Sequence, residues 1–211
     1  MLAHYRSEPA TVLALPRGGV PVAAEVAHVL QAPLDLILVR KVGVPFQPEL
    51  AMGAVVDGTE PVIVRNADVI AMTGVSETEF DQVCTREIAE IGRRRQRYLA
   101  NREPAPIAGR VVIVIDDGIA TGATVRAALR ATRARNPRKL ILAAPVAPTS
   151  TIQELRDEAD QIICLEQHEA FGAIGFFYAD FHQVSDHEVI DLLARYPART
   201  ANKLEDRADR R

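Results

Sequence analysis

Five consecutive β-branched residues, Val111 to Ile115, run without a break into Asp116 and Asp117. A strand apolar at every position must be covered on both faces, which in practice means a parallel sheet lying between layers of helices. Four further runs share that character: Thr11–Leu15, Leu34–Val39, Leu140–Ala144 and Gln161–Leu165. The stretches between them carry helical periodicity or capping signals, and strands that alternate with helices define an α/β fold. With 211 residues the chain is long enough to bury one full core without disulfide or metal staples.

The connecting segments can be read in the same way. After Pro16-Arg17-Gly18-Gly19, a helix begins near Pro21 with Val22, Val26, Val29 and Leu30 on one face. Asp57-Gly58 sits between Ala51–Val56 and Pro61–Arg65 and predicts a β-hairpin with its tip at Asp57–Glu60. Ser76-Glu77-Thr78-Glu79 is a capping box opening a long amphipathic helix to about residue 101, with Phe80, Val83, Cys84, Ile88, Ile91, Arg95, Tyr98 and Leu99 on its apolar stripe. Its last turns carry Arg93-Arg94-Arg95-Gln96-Arg97, a basic end that the helix dipole favours and that reads as a solvated surface. A helix over Thr124–Arg135, one capped at Thr151 and one capped at Ser185 complete the pattern. Ala198–Arg211 is charged and poor in apolar residues, the composition of a disordered tail.

Charge and cysteine usage narrow the function. Lys and Arg total 25 against 28 Asp and Glu, a formal net charge of -3, which argues against a nucleic-acid-coating protein. Cys84 and Cys164 are distant in sequence and each lies in an apolar pattern, so two buried thiols in a reducing compartment are expected. No apolar run approaches the length of a membrane span, and a cytoplasmic, membrane-free protein is the expectation.

The chemistry concentrates in residues 112 to 124, Val-Ile-Val-Ile-Asp-Asp-Gly-Ile-Ala-Thr-Gly-Ala-Thr. A buried strand delivers two carboxylates to the carboxyl edge of the sheet, where open α/β folds bind ligands. The small residues Gly118, Ala120, Gly122 and Ala123 let backbone N–H groups approach an anion. Thr121 and Thr124 add hydroxyl donors, and a helix N-terminus follows. Acceptors for sugar hydroxyls therefore lie beside a cradle for a phosphate.

This segment is similar to the phosphoribosyl-diphosphate (PRPP) motif of the type I phosphoribosyltransferases. Two more loops, Leu15–Val20 and Val39–Pro45, resemble that family's diphosphate loop and the Arg-Lys segment of its adenine-specific members. The likeness spans roughly residues 11 to 195. It implies one domain over 1–197: a parallel sheet flanked by helices, the inserted long helix at about 76–101, and a small hood at about 166–185. PRPP would be held by Arg17, Gly18, Gly19, Arg40, Lys41 and the loop Asp116, Asp117, Gly118, Ala120, Thr121, Gly122, Ala123 and Thr124. Within that set the two aspartates would accept from the ribose hydroxyls and the loop from Ala120 would bind the 5′-phosphate. The resemblance also implies a cis peptide between Arg17 and Gly18. Mg²⁺ would be carried mostly by PRPP and water, with Asp116 or Asp117 in support.

The implied reaction moves the phosphoribosyl group to a small nitrogen acceptor, a nucleobase in the first instance, with release of diphosphate. Arg17 and Lys41 would stabilise the leaving group, and Glu49, an acid near the Arg-Lys segment, is the candidate base. Phe176 and Tyr178 in the hood are candidates to stack on a flat base, with core packing as their alternative role. A homodimer is the expected assembly. The chain departs from 6-oxopurine enzymes in having Ala120 where they carry an Asp, and no lysine in Ala143–Pro148. The hairpin loop, usually a flexible catalytic loop, is short. A PRPP-sensing regulator is the alternative function, favoured only by the arginine-rich helix end.

Overall fold

A computed structural model describes residues 1–58, 60–100 and 102–196. Five strands, β1 (Ala10–Ala14), β2 (Leu34–Leu36), β6 (Val111–Ile115), β7 (Lys139–Pro148) and β8 (Gln161–His168), form one parallel sheet in the order β2-β1-β6-β7-β8. Three others, β3 (Val39–Val44), β4 (Gln47–Val56) and β5 (Val62–Arg65), make a separate antiparallel sheet. The helices are α1 (Gly19–Leu30), α2 (Ala67–Thr73), α3 (Glu77–Leu99), α4 (Ala123–Arg133), α5 (Thr149–Glu154) and α6 (Asp186–Arg195).

Every residue of β1 and β6 is buried. Because successive side chains point to opposite faces, one strand feeds two cores. Val111, Ile113 and Ile115 pack with α1, α3 and α6, while Val112 and Val114 pack with Val125, Ala128 and Leu129 of α4. From β1 the chain steps through α1 to β2 on one side; β6, β7 and β8 lie on the other. Strand order reverses between β1 and β6, and the crevice at their carboxyl ends is where such sheets bind ligands.

Several sequence expectations are corrected by non-local contacts. Leu34–Val39 is not one strand. The Leu38 N–H donates to Asp57 Oδ1 at 2.7 Å, and the Asp57 N–H donates back to Leu38 O at 2.9 Å. The chain thus leaves the parallel sheet after Leu36, and Val39 pairs with Val56. Arg40 and Lys41 therefore lie inside β3 of the small sheet and not at the carboxyl end of a core strand.

Asp57 is itself buried, 6% exposed, and Arg95 Nη1 of α3 meets its Oδ2 at 2.9 Å. Burial pushes this carboxyl up; the Leu38 N–H and then Arg95 oppose the shift. The expected hairpin tip is in part a structural centre, with Thr59 outside the described residues.

On α1 the buried face is Val20, Ala23, Ala24, Ala27 and Leu30, whereas Val29 is exposed. Small residues let α1 lie close to the sheet, so the larger valines fall to its flank. The capping boxes at Ser76 and Ser185 are present. The one at Thr151 is not: α5 starts at Thr149, and the Thr151 hydroxyl donates instead to Ala120 O at 2.8 Å. Cys84 is buried but Cys164 only half-buried. Helix α2, capped by Asn66, has no counterpart in the sequence reading. The tail expected over 198–211 lies outside the described residues.

Candidate active site

The turn after β1 and the turn after β6 press against each other. A Cβ on Gly18 would lie 2.0 Å from Asp117 Oδ2, so only glycine fits there while Asp117 keeps its place. A Cβ on Gly19 would lie 2.7 Å from Ile115 O and 2.9 Å from Asp116 Cα, so this glycine too packs closely on the β6 turn. The cis peptide in this loop joins Pro16 to Arg17, one position earlier than expected.

Across the crevice, Asp116 Oδ1 accepts from the Asp117 N–H at 3.0 Å. Burial, reinforced by the neighbouring Asp117 carboxylate, pushes the Asp116 carboxyl well above its ordinary value. The two acids are therefore unequal. Asp116 is tied back to the chain, and Asp117 lines an open cavity.

The loop then climbs to α4 through Gly122, whose φ of +72° is left-handed and suits glycine. No side chain caps α4 at this point. Its first amides face the loop without a side-chain acceptor, the usual arrangement for receiving an anion. Ile174 of the hood packs over Gly118, and the Tyr178 hydroxyl donates to Asp117 O at 2.6 Å. Burial, then the charges of Asp117 and Asp116, push the Tyr178 hydroxyl up to about 12, so it stays a donor at neutral pH.

Two cavities flank this loop. One of about 410 Å³ lies under the hood, lined by Arg17, Gly18, Asp117, Tyr178, Phe181 and His182. The other, about 820 Å³, opens between α4 and the small sheet and is lined by Lys41, Glu49, Arg65, Thr121, Thr124 and Arg126. Asp117 thus faces the first cavity and the phosphate-loop threonines face the second.

The expected cations divide between these spaces. Arg17 lines the hood-side cavity and Lys41 the hairpin-side one, beside Thr121 and Thr124. Arg40 is turned away: its Nε meets Glu87 Oε2 of α3 at 2.7 Å, and it lines a separate cavity of about 500 Å³. Glu49, the base candidate, is paired with Lys41 Nζ at 3.1 Å in the hairpin-side cavity, apart from the hood. Phe176 is 80% exposed, which removes its core-packing alternative, and it does not line the hood-side cavity; the second ring beside Tyr178 in that cavity wall is Phe181. Phe181 lies in the same hood segment, about 166–185, that the resemblance marks out.

Asp186, the first residue of α6, was missed altogether. Its Oδ1 accepts from the Tyr98 hydroxyl at 2.6 Å and lies 3.5 Å from Arg17 Nη1; its Oδ2 is 2.8 Å from Arg97 Nη1. Nothing local in the sequence brings residues 17, 97, 98 and 186 together. Among the described residues, no three His, Cys, Asp or Glu side chains cluster as a metal cage, and no helix is long and apolar enough to cross a membrane.

Fold and site together define an α/β protein with a glycine- and acid-lined crevice at the carboxyl edge of its sheet. Residues 1–181 match the family model described as phosphoribosyl transferase domain, and the chain belongs to that family. It is 45% identical over 194 residues to two Mycobacterium tuberculosis proteins, from strains CDC 1551 and H37Rv, each named "Putative phosphoribosyl transferase". That alignment covers 92% of this chain but 43% of theirs, so the chain spans less than half the length of these relatives. Among solved structures, TT1426 from Thermus thermophilus is 37% identical with a TM-score of 0.80, covering 93% of this chain and 94% of its own.

Proposed function

We propose that this domain transfers a phosphoribosyl group from PRPP to a nitrogen acceptor, releasing diphosphate. The contact of Gly18 with Asp117 carries the reading. It puts the diphosphate loop and the acid pair of the PRPP motif into one crevice, as a single ligand with a ribose between two phosphate groups requires. Asp117, facing the cavity, accepts from a ribose hydroxyl. Asp116 fixes the Asp117 backbone and adds a second acceptor. The 5′-phosphate sits on the α4 amides with Thr121 and Thr124.

Displacement at the ribose C1 passes through an oxocarbenium-like transition state and needs little from a protein nucleophile. Catalysis then rests on holding acceptor and ribose in line and on stabilising the departing charge. Arg17 is the cation placed for that second task, whereas Lys41 lies across the loop beside Thr121 and Thr124 of the 5′-phosphate site. Tyr178 and Phe181 offer faces for a flat acceptor in the hood-side cavity. Ala120 and the lysine-free strand end Ala143–Pro148 favour an adenine-like or other acceptor without a 6-oxo group.

The donor set fits Mg²⁺ in one form. Two carboxylates without a third ligand suit a hard cation that arrives on PRPP and keeps its waters. Bound there, the ion would neutralise charge on the diphosphate, and Asp116 and Asp117 would hold its hydration shell. The arginine run of α3, which favoured a sensor, is paired with acids of this same chain, largely at the surface. Arg93 and Arg94 bind Glu90, Arg95 binds Asp57, and Arg97 binds Asp186.

Titration with PRPP, followed by a diphosphate-release assay over a panel of nitrogen bases with Mg²⁺, tests the reading. Binding with acceptor-dependent release is the expected result. Asp116→Asn with Asp117→Asn should abolish binding, since each charge-assisted hydrogen bond contributes about 1.5–3 kcal/mol. Unchanged PRPP affinity in that folded double variant overturns the assignment.

A further inference from the structure

Arg17 carries the leaving-group end of the proposed site, yet its ionic partner in the structure is a protein acid. Arg17 Nη1 lies 3.5 Å from Asp186 Oδ1, the longest contact that carboxylate makes. Tyr98 holds the same oxygen at 2.6 Å and Arg97 holds the other at 2.8 Å. Both belong to the last turn of α3, and Tyr98 is buried. The Tyr98 hydroxyl first, and then Arg97 and Arg17, hold the Asp186 carboxyl below the usual carboxylate range, so it is charged throughout the neutral region. Burial and the Asp186 charge push the Tyr98 hydroxyl up, which keeps it a donor.

From this geometry we infer that Asp186 is a positioning residue: an exchangeable counter-ion that competes with diphosphate for Arg17, its pull set by Tyr98 and Arg97 of α3. The inference rests on the transferase reading of the site. A guanidinium beside an anion site is disordered if bare and unavailable if tightly paired. Asp186 avoids both states. Its two oxygens are occupied by better partners, so Arg17 is kept near the crevice by a weak contact that a polyanion can outbid. After transfer, the same carboxylate takes Arg17 back and favours release of diphosphate. The long helix, which has no other part in the proposed site, gains a role as the support that sets this balance.

Two substitutions should act in opposite directions. Asp186→Asn removes the competing charge and frees Arg17. Tyr98→Phe leaves every formal charge in place but releases Asp186 Oδ1 to close on Arg17. Calorimetry with magnesium diphosphate, and separately with ribose 5-phosphate, reads the difference on proteins whose circular dichroism shows them folded. Asp186→Asn should bind diphosphate about fivefold more tightly and Tyr98→Phe about threefold more weakly, the range of a partly exposed ion pair. Ribose 5-phosphate affinity should move by less than about twofold in either.

In an Arg17→Ala background the effect of Asp186→Asn should vanish, which a merely structural role would not produce. If Tyr98→Phe does not fold, Arg97→Gln serves in its place with the same expected sign. Shifts of the same sign, or an Asp186→Asn effect that persists without Arg17, would overturn the inference alone. A wild-type protein that binds neither PRPP nor diphosphate removes the transferase reading, and the inference with it.

Discussion

The two sheets treat their charged residues in contrasting ways. At the carboxyl edge of the parallel sheet, strands β1 and β6 are wholly buried, and the acids they deliver are fixed by backbone contacts: Gly18 against Asp117, the Asp117 N–H on Asp116, Tyr178 on Asp117 O. In the small sheet, β5 is half-exposed along its length, and Lys41 and Arg40 on β3 are occupied by Glu49 and Glu87. In the proposed site the acceptors for a sugar are thus preorganised, while the cations for a polyanion are provisional. Binding must exchange carboxylate partners for phosphate oxygens on the cationic side, and nothing comparable is required on the acidic side.

Substitutions can break this contrast, the largest effect falling on the fixed half. Gly18→Ala drives a methyl group into Asp117, an overlap that typically costs about 1–3 kcal/mol. It should lower the thermal midpoint and remove most PRPP affinity together; a folded variant with ordinary PRPP affinity would show that the crevice is not rigid. On the provisional side the effects are smaller and separable. Arg17→Ala and Lys41→Ala should each weaken PRPP binding about tenfold, as expected for one lost charge-assisted contact. Ribose 5-phosphate distinguishes them, because Lys41 shares its cavity with Thr121 and Thr124 whereas Arg17 does not. Its affinity should fall in Lys41→Ala and hold in Arg17→Ala; the reverse order would exchange the roles of the two cavities.

The smallest effect is on stability and depends on pH. The folded-state pKa of Asp116 is raised by burial and by Asp117, so the native state binds this proton more tightly than the unfolded chain does. The contribution is therefore fully present below the unfolded value and is lost as pH rises through the folded one. At neutral pH, ionised Asp116 is a liability in the unliganded protein. Asp116→Asn should raise the thermal midpoint at pH 7 by about 2–4 °C, the shift that about 1 kcal/mol gives in a protein of this size. The gain should disappear in acid. A midpoint unchanged at pH 7 would mean that the Asp116 carboxylate is stabilised in the crevice without ligand.

What was legible in the sequence was whatever a single segment decides. Val111–Ile115 is apolar at every position, and its strand, the acid pair and the glycine-rich entry to α4 follow from adjacent residues. The Ser76 and Ser185 boxes were readable for the same reason, as each is complete within four residues. Segments decided by distant partners were not. Leu34–Val39 looks like one strand because the residue that diverts it, Asp57, is 19 positions from Leu38. Thr151 has a capping pattern but spends its hydroxyl on Ala120, 31 positions away. The cations were found by type and misplaced by position, since Lys41 and Arg40 belong to a sheet whose existence depends on that diversion. Asp186 was invisible because its partners are 88 and 169 positions distant.

Asp57 has a bearing on how this chain could be trimmed. Its buried carboxylate joins the point where the backbone leaves one sheet for the other to the partly exposed Arg95 of α3. A buried carboxylate stripped of its cation typically costs about 3–5 kcal/mol. Excising α3 to obtain a more compact module would therefore take away the Arg95 ion pair and leave that charge with only the Leu38 N–H and the field of Arg135 at the junction of the two sheets. Residues 77–99 are a structural keystone, and a minimal version of this protein must either retain them or replace Asp57 in the same step.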